Sequence, residues 1–77
     1  MPTLLNQNGF KFFFYANEHE PMHIHVMKGE AFAKINLYDL HVVQNHMKPK
    51  ELKQALEIVE ENRSDFIRKW NEWFDQG

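Results

Sequence analysis

The sequence contains no cysteine among its 77 residues. This absence excludes a disulfide framework and thiolate chemistry, and it fits a reducing compartment. No apolar run approaches the roughly 20 residues that a membrane-spanning helix needs. Residues 1–5 also lack the charged flank and apolar segment of a signal peptide. We therefore expect a soluble cytoplasmic protein with no membrane association.

The sequence also lacks an excess of basic residues. Nine Lys and Arg stand against eleven Asp and Glu, which gives a net charge of −2 with histidines neutral. Proteins that bind nucleic acid through its phosphates usually carry a basic balance or a concentrated basic stripe. The composition therefore counts against strong nonspecific binding to nucleic acid.

Aromatic side chains, by contrast, are abundant. Phe, Trp and Tyr make up 14% of the residues, and the hydrophobic fraction is 43%. A chain this short buries only about 60% of its unfolded surface, so large aromatic groups are an efficient way to reach a stable core. We expect residues 1–77 to form one folded domain.

The first half of the chain shows the alternating pattern of β-strands. Turn-forming residues at 6–9 and a two-residue turn at Lys28-Gly29 separate the candidate strands. With that second turn, His25 would lie opposite Phe32 and His23 opposite Lys34, and the other face would be entirely apolar. The predicted strands are 3–5, 10–16, 22–27 and 30–38, with a short further one around 41–43.

The second half shows the spacing of an amphipathic helix from Pro49 to Asp75. Unbroken, it would be roughly 40 Å long, so we consider a break near residues 62–65, where Ser64 would cap a second helix. We predict an α+β fold: an antiparallel meander of three or four strands, followed by a long or kinked C-terminal helix. The helix packs on the face formed by Ile24, Val26, Ala33 and Ile35.

Three of the five histidines fall within seven residues, at His19, His23 and His25. On a strand, His23 and His25 point to one face about 6.6 Å apart, so both could bind a zinc-like divalent ion with His19 as a third ligand. Lys34 opposes this, because an ammonium beside the site disfavours another cation. The alternative is that the histidines are polar members of a sheet face, satisfied by water or neighbours.

The face that carries these histidines also carries aromatic groups. Such a surface suits a protein partner or a second copy of the chain, and it is also what a single-stranded RNA platform requires. The slightly acidic charge favours the protein partner. No residue is typical of a covalent nucleophile, and the sequence does not identify a reaction. The predicted binding surface comprises Phe13, Tyr15, His19, Glu20, His23, His25, Phe32, Lys34 and Tyr38.

The motifs together resemble the small prokaryotic family catalogued as domain of unknown function four-one-six-zero. The resemblance rests on Met1-Pro2, Gly9-Phe10, the histidine-rich run 19–26, the helix start 49–52, and the segments 61–63 and 70–74. Met22 replaces a common second proline of the signature, and Lys48 replaces a common serine.

The resemblance implies no assigned activity. It implies a bacterial interaction module, similar to one member of a toxin–antitoxin pair, that binds a protein partner through the histidine and aromatic face. A metal-binding protein or a small metal-dependent enzyme using the His-x-His motif is the alternative, and a single-stranded RNA binder is a further one.

Overall fold

A computed structural model describes residues 3–74. Five antiparallel strands form one sheet in sequence order, and two helices follow. Met1-Pro2 of the family resemblance and the predicted helix end at Asp75 lie outside the described residues. The elements are β1 (Thr3–Gln7), β2 (Phe10–Phe13), β3 (His23–Lys28), β4 (Ala31–Asn36), β5 (Val42–His46), α1 (Pro49–Glu61) and α2 (Arg63–Phe74).

The predicted α+β meander with helices on one face is confirmed, but the prediction of three or four strands is wrong. Five strands are present in residues 3–74 because β1 pairs with β2 and β5 pairs with β4, each with one irregularity in the register. The β5 segment is largely exposed, so it lacks the alternating apolar pattern that marks a strand in a sequence. Its backbone pairing with β4, which includes an irregularity between Lys34 and Ile35, forms the strand instead.

The turn between β3 and β4 lies one residue later than predicted. Lys28 pairs with Ala31, so the loop is Gly29-Glu30, and Gly29 has a φ of 60°. Placing Lys28 in the loop would have required positive φ at a residue with a side chain, whereas glycine adopts it freely. Every β3 residue therefore faces a β4 partner two positions further along than predicted, which leaves each side chain on its predicted face.

The core lies between the sheet and the helices. Ile24, Val26, Ala33 and Ile35 are buried as predicted, and Phe12 contacts Phe66 of α2 with ring centroids 5.8 Å apart. The remaining buried apolar side chains come from β2, the segments that follow β2, β4 and β5, α1 and α2, and include Phe10, Phe14, Leu37, Met47, Ala55, Val59 and Trp70.

The helical segment is broken at Asn62, near the predicted position. The side-chain amide of Asn62 donates to the Ile58 carbonyl at 2.8 Å, and its own carbonyl accepts from the Phe66 amide at 2.9 Å. Asn62 thus ends α1 and begins α2, and Ser64 lies inside α2 and not at its cap. None of the described helices is long and apolar enough to cross a membrane.

Candidate metal centre and aromatic face

A cluster of three polar side chains lies at β3, where the ring of His23 also contacts that of Trp70 in α2 at 5.1 Å. His23 and His25 project from β3, and Glu18 reaches them from the loop between β2 and β3. One nitrogen from each histidine and one carboxylate oxygen lie within 4.8 Å of one another. Two histidines and a carboxylate at this separation form a plausible ligand set for a divalent ion. We call Glu18, His23 and His25 the EHH cluster.

A single carboxylate oxygen connects the members of the cluster. Oε2 of Glu18 lies 2.8 Å from Nε2 of His25, which forms a hydrogen bond, and 2.8 Å from Nε2 of His23. The same oxygen accepts a hydrogen bond from the backbone amide of Tyr15 at 3.3 Å. These contacts of Glu18 hold the loop after β2 against strand β3.

His23 is the most buried member, with 4% of its surface exposed. Its Nδ1 lies 2.9 Å from the carbonyl oxygen of Pro21, which follows a cis peptide bond with Glu20. Its Nε2 is close to Glu18 but off the direction of a hydrogen bond, so this buried atom has no hydrogen-bond partner among residues 3–74. Buried polar atoms are nearly always paired, so an unpaired one at a ligand cluster needs an explanation.

The surroundings of His25 favour the neutral form of its imidazole by lowering its pKa. Burial lowers its pKa, and the nearby His23 and Lys34 lower it further, against the opposing effect of the Glu18 carboxylate. Desolvation disfavours the charged form of the ring. A neutral imidazole is the form that binds metal ions.

A cleft of about 320 Å³ opens beside the cluster. Glu18 and His23 line it, and so do Lys34 and Asn36 from β4. Across the strand pair, Asn36 lies opposite His23, and Lys34 lies opposite His25. The predicted apposition of Lys34 to His23 is therefore wrong, for the turn geometry described above. The ammonium of Lys34 therefore lies beside His25 and not His23, and it is there that it disfavours a bound cation.

Two residues of the predicted site lie in the cleft wall and outside the EHH cluster. His19 and Glu20 are exposed and line the cleft. Oε1 of Glu20 accepts a hydrogen bond from the indole nitrogen of Trp70 at 3.3 Å. The third ligand atom beside His23 and His25 comes from Glu18, and the predicted third ligand His19 lies outside the cluster.

The aromatic part of the predicted surface lies next to the cluster. The ring of Phe13 stacks on His25 at 5.4 Å, and Tyr15 meets His25 edge-on at 4.5 Å. Phe32 stacks on His46 of β5 at 4.4 Å. We call the side chains Phe13, Tyr15, His25, Met27 and Phe32, which line a shallow cleft of about 180 Å³, the aromatic face.

Exposure varies sharply across the predicted surface. Phe13 is buried at 2%, whereas Phe32 is 40% and Tyr15 50% exposed. Tyr38 is also exposed, but it lies in the turn after β4 and not on a strand. The predicted surface is thus two regions, a polar cleft around His23 and an apolar patch around Phe32.

Comparison with known proteins identifies the family. The model of a domain of unknown function, DUF4160, matches residues 9–71, so the chain belongs to that family. No curated protein and no solved structure gave a significant match. The match includes the whole histidine-rich run and most of both helices.

Proposed function

We propose that this member of the DUF4160 family is a metal-binding protein, with a zinc-like divalent ion held by Glu18, His23 and His25. The observation that carries the proposal is the unpaired, buried Nε2 of His23, which points into a cluster of two other ligand groups. The ion would supply the partner that this nitrogen lacks. The proposal follows the metal-binding alternative from the sequence, with Glu18 in place of His19.

The hydrogen bond to Pro21 determines which nitrogen of His23 is available. A carbonyl oxygen only accepts, so Nδ1 of His23 must carry the proton that it donates. In the neutral ring, Nε2 then carries a lone pair, and it lies 2.8 Å from the acceptor oxygen of Glu18. Two acceptors at this distance repel each other unless a second proton or a cation lies between them. Metal-bound histidines commonly use their other nitrogen for such an orienting bond.

The donor atoms of the cluster lie within 4.8 Å of one another, so the cluster has to adjust to hold an ion. Ligand atoms about 2.0–2.1 Å from a tetrahedral zinc ion lie roughly 3.3 Å apart. Glu18 Oε2 is 2.8 Å from each histidine nitrogen, so it would have to withdraw by about half an ångström. Glu18 lies in a loop and not in a strand, so rotation of its side chain would supply that movement.

Three protein ligands leave one coordination position open. Structural zinc sites usually use four protein ligands, whereas catalytic sites use three and keep the fourth position for water or substrate. The cleft beside Glu18 and His23 gives that position access from solvent. A metal-dependent activity is therefore chemically accessible to this site, and a bound water would be the group the ion activates.

The test is a zinc titration of protein purified without a histidine tag, followed by calorimetry and by metal analysis after dialysis. We expect one ion per chain. Glu18→Gln, His23→Ala and His25→Ala should each weaken binding by at least about a hundredfold, since loss of even an outer-shell partner costs 10–100-fold. His19→Ala is the matched control, because His19 lies in the same loop but outside the cluster. Unchanged affinity in His25→Ala would refute the proposal.

A second function is favoured by the aromatic face. Met27 and Phe32 are 38% and 40% exposed on adjacent strands, and Tyr15 adds a third apolar group beside them. Contiguous apolar patches mark interaction sites on soluble proteins. We propose that this patch binds a protein, either a second copy or the partner in a toxin–antitoxin-like pair of a bacterial cytoplasm.

Sedimentation of wild type and Phe32→Asp tests the interface. Self-association in wild type that Phe32→Asp abolishes would support a homodimer. Trp73→Asp is the control, because Trp73 is 55% exposed but lies on α2. Salt-dependent binding of single-stranded RNA by a strictly monomeric protein would contradict the protein-partner proposal and favour the RNA platform.

A further inference from the structure

The cleft beside the EHH cluster carries cationic and polar groups that have no partner. Lys34 is half-buried and lines the cleft, yet it forms no ion pair and no hydrogen bond with any residue between 3 and 74. Lys11 and Lys28, in contrast, lie over the rings of Phe13 and Phe10. A half-buried ammonium at a cleft with no counter-ion is a ready binding group for an anion.

Asn36 adds a second unpartnered group in the same wall. It lies opposite His23 and is 8% exposed, and its side-chain amide makes no hydrogen bond within the described chain. Its amide atoms are not among the fully enclosed unpaired atoms, a class that contains only the His23 nitrogen in residues 3–74. The amide of Asn36 therefore has access to the cleft, where its NH₂ group can donate to a ligand oxygen.

Charge balance shows what such a ligand would be. A divalent ion on Glu18 leaves one net positive charge, and Lys34 adds another nearby. Glu20 contributes a negative charge to the cleft wall, which offsets one of these two positive charges. The loaded site thus keeps a positive excess, which is unfavourable unless an anion lies between the ion and the ammonium.

We propose that the cleft binds a small oxyanion, of the carboxylate or phosphate type, that takes the open coordination position of the ion and pairs with Lys34. One oxygen would replace the metal-bound water, and a second would accept from Lys34 and from Asn36. The proposal rests on the metal centre proposed above and names its ligand class. It also accounts for the otherwise unfavourable position of Lys34 beside a cation site.

Binding of Co²⁺ in place of zinc tests the metal centre and the oxyanion site separately. The visible bands of Co²⁺ bound to the EHH cluster report occupancy, and their position reports the fourth ligand. We expect inorganic phosphate, and more weakly acetate, to shift these bands in a saturable way while the metal stays bound. Absence of visible bands in the wild type would overturn the metal centre itself. Bands that form but do not respond to either anion would overturn only the oxyanion proposal.

Variants at Lys34 decide whether the cleft is responsible. Lys34→Gln should retain cobalt and weaken phosphate binding about tenfold, because one charged hydrogen bond is lost. Lys34→Arg keeps the charge and should restore most of the affinity. Lys11→Gln is the matched control, a half-buried lysine on the same sheet face that does not line the cleft. Equal phosphate affinity in Lys34→Gln and Lys11→Gln would contradict the proposal, as would removal of the metal by phosphate.

Discussion

The two tryptophans of α2 should differ sharply in their contribution to stability. Trp70 is 1% exposed, and its ring contacts Phe14 at 5.2 Å and Phe74 at 4.5 Å. Trp73 is 55% exposed. Both tryptophans lie on α2, so the comparison tests how that helix is oriented on the sheet.

The expected magnitudes follow from burial. Removal of a buried aromatic side chain costs about 3–5 kcal/mol, so Trp70→Ala should lower the free energy of unfolding by that amount. A domain of 77 residues has a total stability of roughly 4–12 kcal/mol, at about 0.05–0.15 kcal/mol per residue. Trp70→Ala would thus remove a large part of it and lower the melting temperature by at least about 12 °C. Trp73→Ala should stay within about 0.5 kcal/mol of wild type.

Urea denaturation followed by circular dichroism at 222 nm measures both variants, because that signal reports mainly the helical backbone and each variant is compared with its own folded baseline. Trp70→Phe provides a milder form of the test if Trp70→Ala does not fold. It keeps a ring against Phe14 but loses the hydrogen bond to Glu20, and we expect a cost of about 1–2 kcal/mol. Equal destabilisation by Trp70→Ala and Trp73→Ala would refute the orientation of α2.

Three further stability predictions use the same denaturation measurement. Arg63→Ala should cost about 1–3 kcal/mol, because the guanidinium donates to the carbonyls of Leu37 and Tyr38 and joins α2 to the turn after β4; a cost below about 0.5 kcal/mol would contradict this. Gly9→Ala should cost about 1–2 kcal/mol, since Gly9 has a φ of 82° in the first hairpin; a neutral result would show that the turn relaxes. Leu56→Ala should cost less than the roughly 2–5 kcal/mol expected of a core leucine, because Leu56 is only partly buried. A cost within that range would place Leu56 in the core.

The spacing of apolar residues predicted which side of the sheet the helices cover, because that spacing depends on the face each side chain occupies and not on the exact pairing of the strands. The apolar set of β3 and β4 is buried as expected, although the predicted register was two positions out. The predicted register would have required a positive φ at Lys28, whereas the observed turn places it at Gly29, and a two-residue turn ending in glycine looked equally suitable in the sequence. The fifth strand was underestimated because backbone pairing, and not apolar alternation, defines it.

The candidate site was predicted in part. His23 and His25 were paired by strand geometry alone, which requires only that successive residues alternate in direction. Glu18 was missed because its contribution depends on the path of an irregular loop, which sequence spacing does not define. The hydrogen bond from the Tyr15 amide to Glu18 is the local feature that brings the carboxylate over the sheet.

Nitrogen-15 NMR of the histidine rings tests the central claim most directly. In metal-free protein, His23 should carry its proton on Nδ1, as its hydrogen bond to Pro21 requires. One equivalent of zinc should then shift the Nε2 resonances of His23 and His25 and leave His19, His41 and His46 unchanged. Coordination at His19 in place of either residue, or no shift at any histidine, would contradict a metal centre at Glu18, His23 and His25.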